Sequence, residues 1–360
     1  MSLKIYASRE FLAPQTQHSI MLYPFWGKNP EIEGMPYNGQ YNHYEEHGTQ
    51  FFKMVNLRSC DYAIAPAHWE NSEDSRRLIH TLADRAGTYG KSIIIFFLSD
   101  SDAKIPIENS IIFRTSFYKS KRAKNEYAMP AWSEDFLHRY MGGKVTPHPR
   151  GDKPCVGFCG LVETRYRALR RNFTVWRKRI TDPTKAQEIT KKRKGHQLRA
   201  QLISTLKQSK YIETDFIIRH QFVAGSRTPI EFQNARRIYV QNIANNLYTL
   251  CIRGDGNFSY RLYETLSSGR IPIFVDTDCV LPFDDMINWK KYCVWINQEE
   301  IPYISEKIAD FHAEQTPDNL IEMQLQCRSL WEKWISPTSF FKKISQTLDS
   351  GNIFTNVKGL

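Results

Sequence analysis

Short apolar runs alternate along the chain with longer amphipathic stretches, the pattern of strands joined by helices. Residues 248–285 show it most sharply. Residues 248–252 form an apolar run of strand length, broken by the turn chemistry of Arg253-Gly254-Asp255-Gly256-Asn257. A helix is expected over about 258–268, ended by Gly269, and then a second buried strand over 271–275. Phe258, Leu262 and Leu266 recur at helical spacing and suit packing on a sheet, while Asn257, Arg261, Glu264 and Ser268 share the neighbouring stripe. An arginine and a glutamate therefore sit on one face near a helix N-terminus that follows two glycines. Backbone N–H groups and the helix dipole favour phosphate there, and arginine adds charge-assisted hydrogen bonds. A carboxylate one turn on can accept both hydroxyls of a ribose.

The first 150 residues read as an α/β domain with irregular insertions. A short strand is expected over 4–7, long loops over 13–50, a strand over 62–65 ended by Pro66, and a helix over 72–89. Strands over 92–98 and 110–113 follow, so parallel strands with helical crossovers are expected. Pro147, Pro149, Gly151 and Pro154 mark the boundary to a second domain. That domain opens with a strand over 155–162 containing Gly157 and Gly160. A helix over 165–180 follows, on Tyr166, Leu169, Phe173 and Trp176. Strand, glycine, helix is the usual opening of a nucleotide-binding half. A helix over 185–206, a strand over 214–219 and a helix over 228–246 lead into the stretch described first. The tail, 317–348, is amphipathic and helical, interrupted at Ile335-Ser336-Pro337.

Composition narrows the function classes. At 360 residues the chain accommodates two domains. No run approaches the roughly 18 apolar residues of a membrane span. The start, MSLKIYASRE, lacks the apolar core of a signal peptide, and seven cysteines without a CxxC pair suit reduced thiols, so a cytoplasmic location is expected. The net charge of +11 is concentrated in residues 165–199, where thirteen Lys/Arg face two acids. Such a segment attracts phosphate-rich partners: an anionic membrane surface, an anionic glycolipid or nucleic acid. Nucleic acid is disfavoured, because no zinc ligands, RNP-type aromatics or helix-turn-helix spacing accompany the charge. A solvated helical face is the plain alternative.

The stretch 248–285 resembles the signature of the exostosin-like glycosyltransferases, family GT47. Arg253, Gly254, Gly256, Ser259, Arg261, Glu264, Gly269, Ile271, Pro272, Leu281, Pro282 and Phe283 fall in register with its R-G-x-G-x-x-S-x-R, L-x-E, G-x-I-P and L-P-F elements. Weaker likenesses are Asp61-Tyr62-Ala63-Ile64-Ala65-Pro66, Tyr127-Ala128-Met129-Pro130, and Phe158-Cys159-Gly160 followed by Arg165 and Arg167. The resemblance implies a GT-B fold: two Rossmann-like α/β domains facing across a cleft, the acceptor on residues 1–150 and the nucleotide-sugar donor on 151–317. A helical segment, 318–360, is expected to pack back on the first domain. It further implies inverting transfer from a nucleoside-diphosphate sugar, typically a UDP-sugar, with no bound metal or other cofactor required. The acceptor would be an oligosaccharide or lipid-linked glycan, as in surface polysaccharide or lipopolysaccharide synthesis at the inner face of a membrane.

On that resemblance Glu264 binds the ribose, and Arg253 and Arg261 neutralise the diphosphate. Gly254 and Gly256 shape the loop, Ser259 donates to phosphate or caps the helix, and Arg165 and Arg167 reach the phosphates across the cleft. Asp276-Thr277-Asp278 looks like a metal-holding DxD, which leaves a metal-dependent GT-A transferase as one rival and a non-catalytic polyanion-binding protein as another. The base that takes the acceptor proton lies beyond the resemblance. Glu70, His68 and Asp61 are the candidates, expected beyond the end of a first-domain strand, with Glu70 ranked first; His18 is a further one. Trp69, Trp26 and Tyr23 are candidates for stacking a sugar face.

Overall fold

The computed structural model describes residues 2–69, 72–163, 175–178 and 180–350. Glu70, Arg165, Arg167 and most of the helix expected over 165–180 lie outside the described residues.

Two parallel sheets organise the chain. The first has the order β2-β1-β3-β4-β5-β6, built from β1 (Leu3–Tyr6), β2 (Phe52–Met54), β3 (Tyr62–Ile64), β4 (Ser92–Phe97), β5 (Ser110–Arg114) and β6 (Glu126–Ala128). The second runs β11-β10-β9-β7-β8, from β7 (Cys155–Leu161), β8 (Glu213–Arg219), β9 (Tyr248–Cys251), β10 (Ile271–Val275) and β11 (Val294–Ile296). In each sheet the second strand lies on one side of the first and the third on the other. The strand order therefore reverses between β1 and β3, and again between β7 and β9. Such reversal points open crevices at the carboxyl ends of strands, where α/β sheets take ligands. Two parallel α/β sheets in one chain agree with the GT-B expectation.

The strand β4 shows why the first sheet is buried on both faces. Ile94 and Phe96 enter a core shared with Leu3, Ile5 and Phe341, whereas Ile93, Ile95 and Phe97 pack with Ile79, Leu82 and Ala86. The latter three belong to α3 (Glu73–Gly87), whose first turn is closed by Ser72 accepting from Ser75 N. A strand apolar on both faces is what a parallel sheet between two helical layers demands.

Residues 13–50 are less open than a loop-rich reading suggests. They hold α1 (Tyr23–Trp26) and α2 (Asn42–His47), and Met21, Leu22 and Tyr44 are fully buried. The strands β2, β6 and β11, three residues each, escape the sequence reading because a run that short carries no periodicity; all three sit at sheet edges.

The helix α4 (Phe136–Tyr140) precedes the domain boundary, and α5 (Pro183–Gln208), α6 (Pro229–Ala244) and α7 (Tyr260–Ser267) follow it. The helix α7 begins two residues later than expected. Asn257 is held out of it by the first domain: its N–H donates to Ser116 Oγ (2.9 Å) and its amide to Phe117 O (3.0 Å). After α8 (Ile304–Glu314) and α9 (Pro317–Leu330) the chain crosses back. In α10 (Pro337–Asp349), Phe340, Phe341, Ile344 and Leu348 complete the first domain's core. The crossing is pinned by Trp132 Nε1, which donates to Ile335 O at 2.9 Å.

The carboxyl ends of the two sheets meet. The segment after β5 pairs antiparallel with the segment after β10 at Tyr118 and Cys279, and Lys119 N donates to Asp278 O at 2.9 Å.

Phe341 stacks on Tyr44 with ring centroids 4.2 Å apart, far from both reversal points in sequence yet inside the first core. Phe341→Ala is expected to lower unfolding free energy by roughly 3–5 kcal/mol, as large-to-small core substitutions do. Urea unfolding followed by tryptophan fluorescence checks this; an unchanged midpoint would mean that the tail does not hold the first domain together.

Candidate functional site

Three arginines surround the reversal point of the second sheet. Arg261, on α7, donates to Cys159 O (2.7 Å) and Leu250 O (3.3 Å), and its guanidinium lies 4.3 Å over the Phe158 ring. Arg199, on α5, donates to Leu161 O (2.9 Å) and Arg253 O (3.0 Å). Arg253, past the end of β9, donates to the Tyr118 hydroxyl (2.9 Å), Asn257 Oδ1 (3.0 Å) and Asp255 O (3.2 Å). In all three the Nε–H is buried with no hydrogen-bond acceptor. None forms a salt bridge among the described residues. Burial, then the charge of Arg261, pushes the Arg199 pKa down to about 10, still protonated at neutral pH.

Two glycines make this crowding possible. A Cβ on Gly195 would stand 2.1 Å from Gly254 O, so only glycine lets α5 lean onto the loop after β9. A Cβ on Gly160 would meet Arg261 Nη2 at 2.8 Å. Beside Gly195, His196 Nε2 lies 2.8 Å from Asp255 Oδ1, and its Nδ1 is buried without a partner. Each unmet buried donor costs about 1–3 kcal/mol. Three unmet guanidinium donors and a surplus of positive charge in one crevice call for an anion with several oxygens.

Glu264 lies 3% exposed on α7. Its Oε1 is 3.0 Å from Arg236 Nη2, and its Oε2 accepts from the Tyr239 hydroxyl. Arg236 also donates to both oxygens of Glu134, at 2.9 and 2.7 Å. A carboxylate–guanidinium–carboxylate bridge thus ties α7 and α6 to the segment before α4, and neither Arg236 nor Glu134 carried a signal in the sequence. Ser259 is buried and extended, and its side chain makes no cap hydrogen bond to α7. Gly256 N donates to Asp100 Oδ1 at 3.1 Å. Asp100 also escaped the sequence reading, although it is the first carboxylate beyond the buried 92–98 strand.

The carboxylates of the DxD-like stretch hold the chain itself. Asp276 Oδ1 accepts from Cys279 N (3.1 Å), and Asp278 accepts from Ser120 N (3.1 Å) across the cleft. Among the described residues no cluster of three or more His, Cys, Asp or Glu is arranged to hold a metal ion.

In the first domain the structure brings His18 and His68 together at the carboxyl end of β3. His18 bridges to Ala67, its Nε2 lies 2.8 Å from Gly27 O, and Tyr23 and Trp26 meet its ring edge-on at 5.4 and 5.5 Å. The His68 ring is hydrogen-bonded to the Phe96 carbonyl, while its Nδ1 is buried without a partner. Burial, with a lesser push from His18, lowers its pKa to about 4. Asp61 stands at the opposite, amino end of β3, where it accepts from Lys4 N at 2.8 Å. Trp69 is buried in the core against His80, and Tyr23 is buried as well; Trp26 is partly buried.

Residues 167–309 match the Exostosin GT47 domain. Relatives include Exostosin-1 of Drosophila melanogaster, 27% identical over 96 residues, which are 27% of this chain and 12% of that protein. The probable glucuronosyltransferase 47 A of Physcomitrium patens is 30% identical over 77 residues, 21% of this chain and 17% of that protein. The aligned stretch therefore spans less than a fifth of either relative. A glycosyltransferase from Rickettsia africae ESF-5 superposes with a TM-score of 0.37 at 10% identity, over 91% of this chain and 85% of that one.

The His68 shift fixes a pH dependence. Its folded pKa, about 4, lies below the unfolded value of 6.5, so the unfolded chain binds the proton more tightly between those values. Stability is intact above this window and falls as the pH drops through it. Urea midpoints at about pH 7 and about pH 5 should differ, and His68→Gln should narrow the difference. An identical pH dependence in the variant would show that His68 is solvated.

Proposed function

We propose, from the match of residues 167–309 to the Exostosin GT47 domain, that this chain is an exostosin-like transferase that moves a sugar from a nucleoside-diphosphate sugar to a glycan acceptor. The observation that carries the reading is the trio Arg199, Arg253 and Arg261, each with a buried Nε–H that lacks an acceptor. A diphosphate offers the acceptors and balances the charge. As the bond between the anomeric carbon and the diphosphate breaks, negative charge builds on the leaving group. Preorganised guanidinium groups stabilise that charge more in the transition state than in the bound donor. The same role falls to a divalent cation in metal-dependent transferases, so the reaction is taken to be metal-independent and, as the resemblance implies, inverting.

Glu264 is assigned to the ribose. Arg236 and Tyr239 fix its orientation, and a carboxylate with about four lone-pair sites retains capacity for two hydroxyls. Ser259, free of a capping role, is assigned to a phosphate oxygen. A UDP-sugar is the favoured donor. The acceptor is placed against the first domain near His18, His68 and Trp26. A lipid-linked or lipopolysaccharide glycan is favoured, because residues 165–199 are strongly basic and suit an anionic acceptor or membrane surface. No helix among the described residues is long and apolar enough to cross a membrane. A cytoplasmic protein working at the inner face of the membrane fits this reading.

The test is UDP release from a panel of UDP-sugars in the presence of EDTA. Turnover should persist without metal, and Arg253→Met should lower kcat/KM by about a hundredfold with an unchanged circular dichroism spectrum. Activity that vanishes in EDTA and returns with Mg²⁺ or Mn²⁺ would contradict the metal-independent reading, and full activity in Arg253→Met would contradict the site.

A further inference from the structure

The chain buries a full charge pair where no ligand needs one. Arg114, 1% exposed at the end of β5, is ion-paired with Glu126. Three further donors serve backbone carbonyls: Nε to Ser116 O (3.0 Å), Nη1 to Ala103 O (3.1 Å) and Nη2 to Ser101 O (2.8 Å). Two of those carbonyls belong to the loop that follows β4. Thr115 secures the same loop, with Oγ1 donating to Ser99 O at 2.9 Å and accepting from Ser99 N at 3.1 Å. Ser116 Oγ then donates to Asp100 O (3.1 Å) and accepts from Asn257 N (2.9 Å), joining this loop directly to the donor-side loop. A buried guanidinium spent on one short loop is a costly device, which suits a residue whose position must not drift.

That residue is Asp100. Its backbone is fixed from below, its side chain is exposed, and its Oδ1 lies 3.1 Å from Gly256 N, between the carboxyl end of β4 and the start of α7. Tyr260, at the first turn of α7, is half exposed on the same opening, and after burial the charges of Asp100 and Glu264 raise its hydroxyl pKa. Arg199 donates to Arg253 O at one end of the Gly254–Gly256 loop, and Asp100 accepts from Gly256 N at the other. A donor whose diphosphate rests on the arginines would present its sugar toward Asp100.

We propose that Asp100 is the catalytic base that takes the proton of the acceptor hydroxyl. This rests on the transferase reading above. In the step, the acceptor O–H proton passes to the Asp100 carboxylate as the acceptor oxygen bonds to the anomeric carbon. The bond from that carbon to the diphosphate oxygen breaks, and its electron pair leaves with the nucleoside diphosphate. Asp100 afterwards returns the proton to water. His68 is the weaker base for this step: it is neutral with a pKa near 4, and its bare nitrogen is buried.

The experiment uses the full chain with water as the acceptor, measuring UDP release from whichever UDP-sugars the wild type hydrolyses, and UDP affinity by calorimetry. Asp100→Asn keeps an oxygen for Gly256 N–H but no basic carboxylate. It should lose about a hundredfold or more in kcat, the range of a positioned base, with UDP affinity unchanged within about twofold. Formate added to Asp100→Ala should restore part of the rate. Near-wild-type turnover in Asp100→Asn would overturn the proposal. So would a loss of UDP affinity matching the loss of rate, which would mean that Asp100 only holds the loop. A wild type that binds no UDP and hydrolyses no UDP-sugar would instead overturn the transferase reading, and this inference with it.

Discussion

The junction of the two domains gathers three arginines, Arg199, Arg253 and Arg261, that form no salt bridge among the described residues. Arg199, Arg253 and Arg261 share the crevice between β7 and β9, satisfied in part by the carbonyls of Cys159, Leu161, Leu250 and Arg253. A carbonyl dipole accepts a hydrogen bond but does not cancel a charge. Burial, and after it the charge of Arg261, lowers the Arg199 pKa, whereas at Arg261 the neighbouring Tyr239, Cys251 and Glu264 outweigh burial and raise it. Proteins tolerate local conflicts of this kind at functional sites. An anionic ligand, such as the proposed donor, removes the conflict.

The same crevice is welded to the interdomain contact. Arg253 reaches the Tyr118 hydroxyl, and Asn257 bonds Ser116 and Phe117, all three on the first domain. Arg236 couples Glu264 to Glu134, and Arg328 grips both oxygens of Asp135 at 2.6 and 2.8 Å while donating to Ser267 O. The groups proposed to bind the donor and the groups that dock the domains are therefore neighbours on α7 and on the loop before it. A ligand that shifts either by a fraction of an ångström is felt by the other, because close-packed polar networks leave little slack. The return of α10 to the first core closes the circuit covalently.

Much of this was legible in the sequence, and the limits have physical causes. The strand–loop–helix over 248–275 was readable because its signals are local: an apolar run, two glycines, then helical spacing that aligns Arg261 with Glu264. The helix start was misplaced by two residues because Asn257 answers to Ser116 and Phe117, more than a hundred positions away in sequence. Arg199 hid within a basic run that reads as a solvated face; only the close approach permitted by Gly195 carries it inside. Arg236, Glu134 and Asp100 act through contacts between domains, which no local pattern encodes. Asp61 was expected beyond a first-domain strand, yet it precedes β3, and the strand sends it and His68 to opposite ends. The Asp276–Asp278 pair resembled a metal motif, whereas its carboxylates hold a turn and dock Ser120.

The claim that the arginine crevice awaits a diphosphate is tested most directly by calorimetric titration of the full chain with UDP and with uridine across a salt series. The account predicts that UDP binds, that uridine binds far more weakly, and that UDP affinity falls steadily as salt screens the guanidinium groups. Equal affinities for UDP and uridine, or UDP binding indifferent to salt, would contradict it.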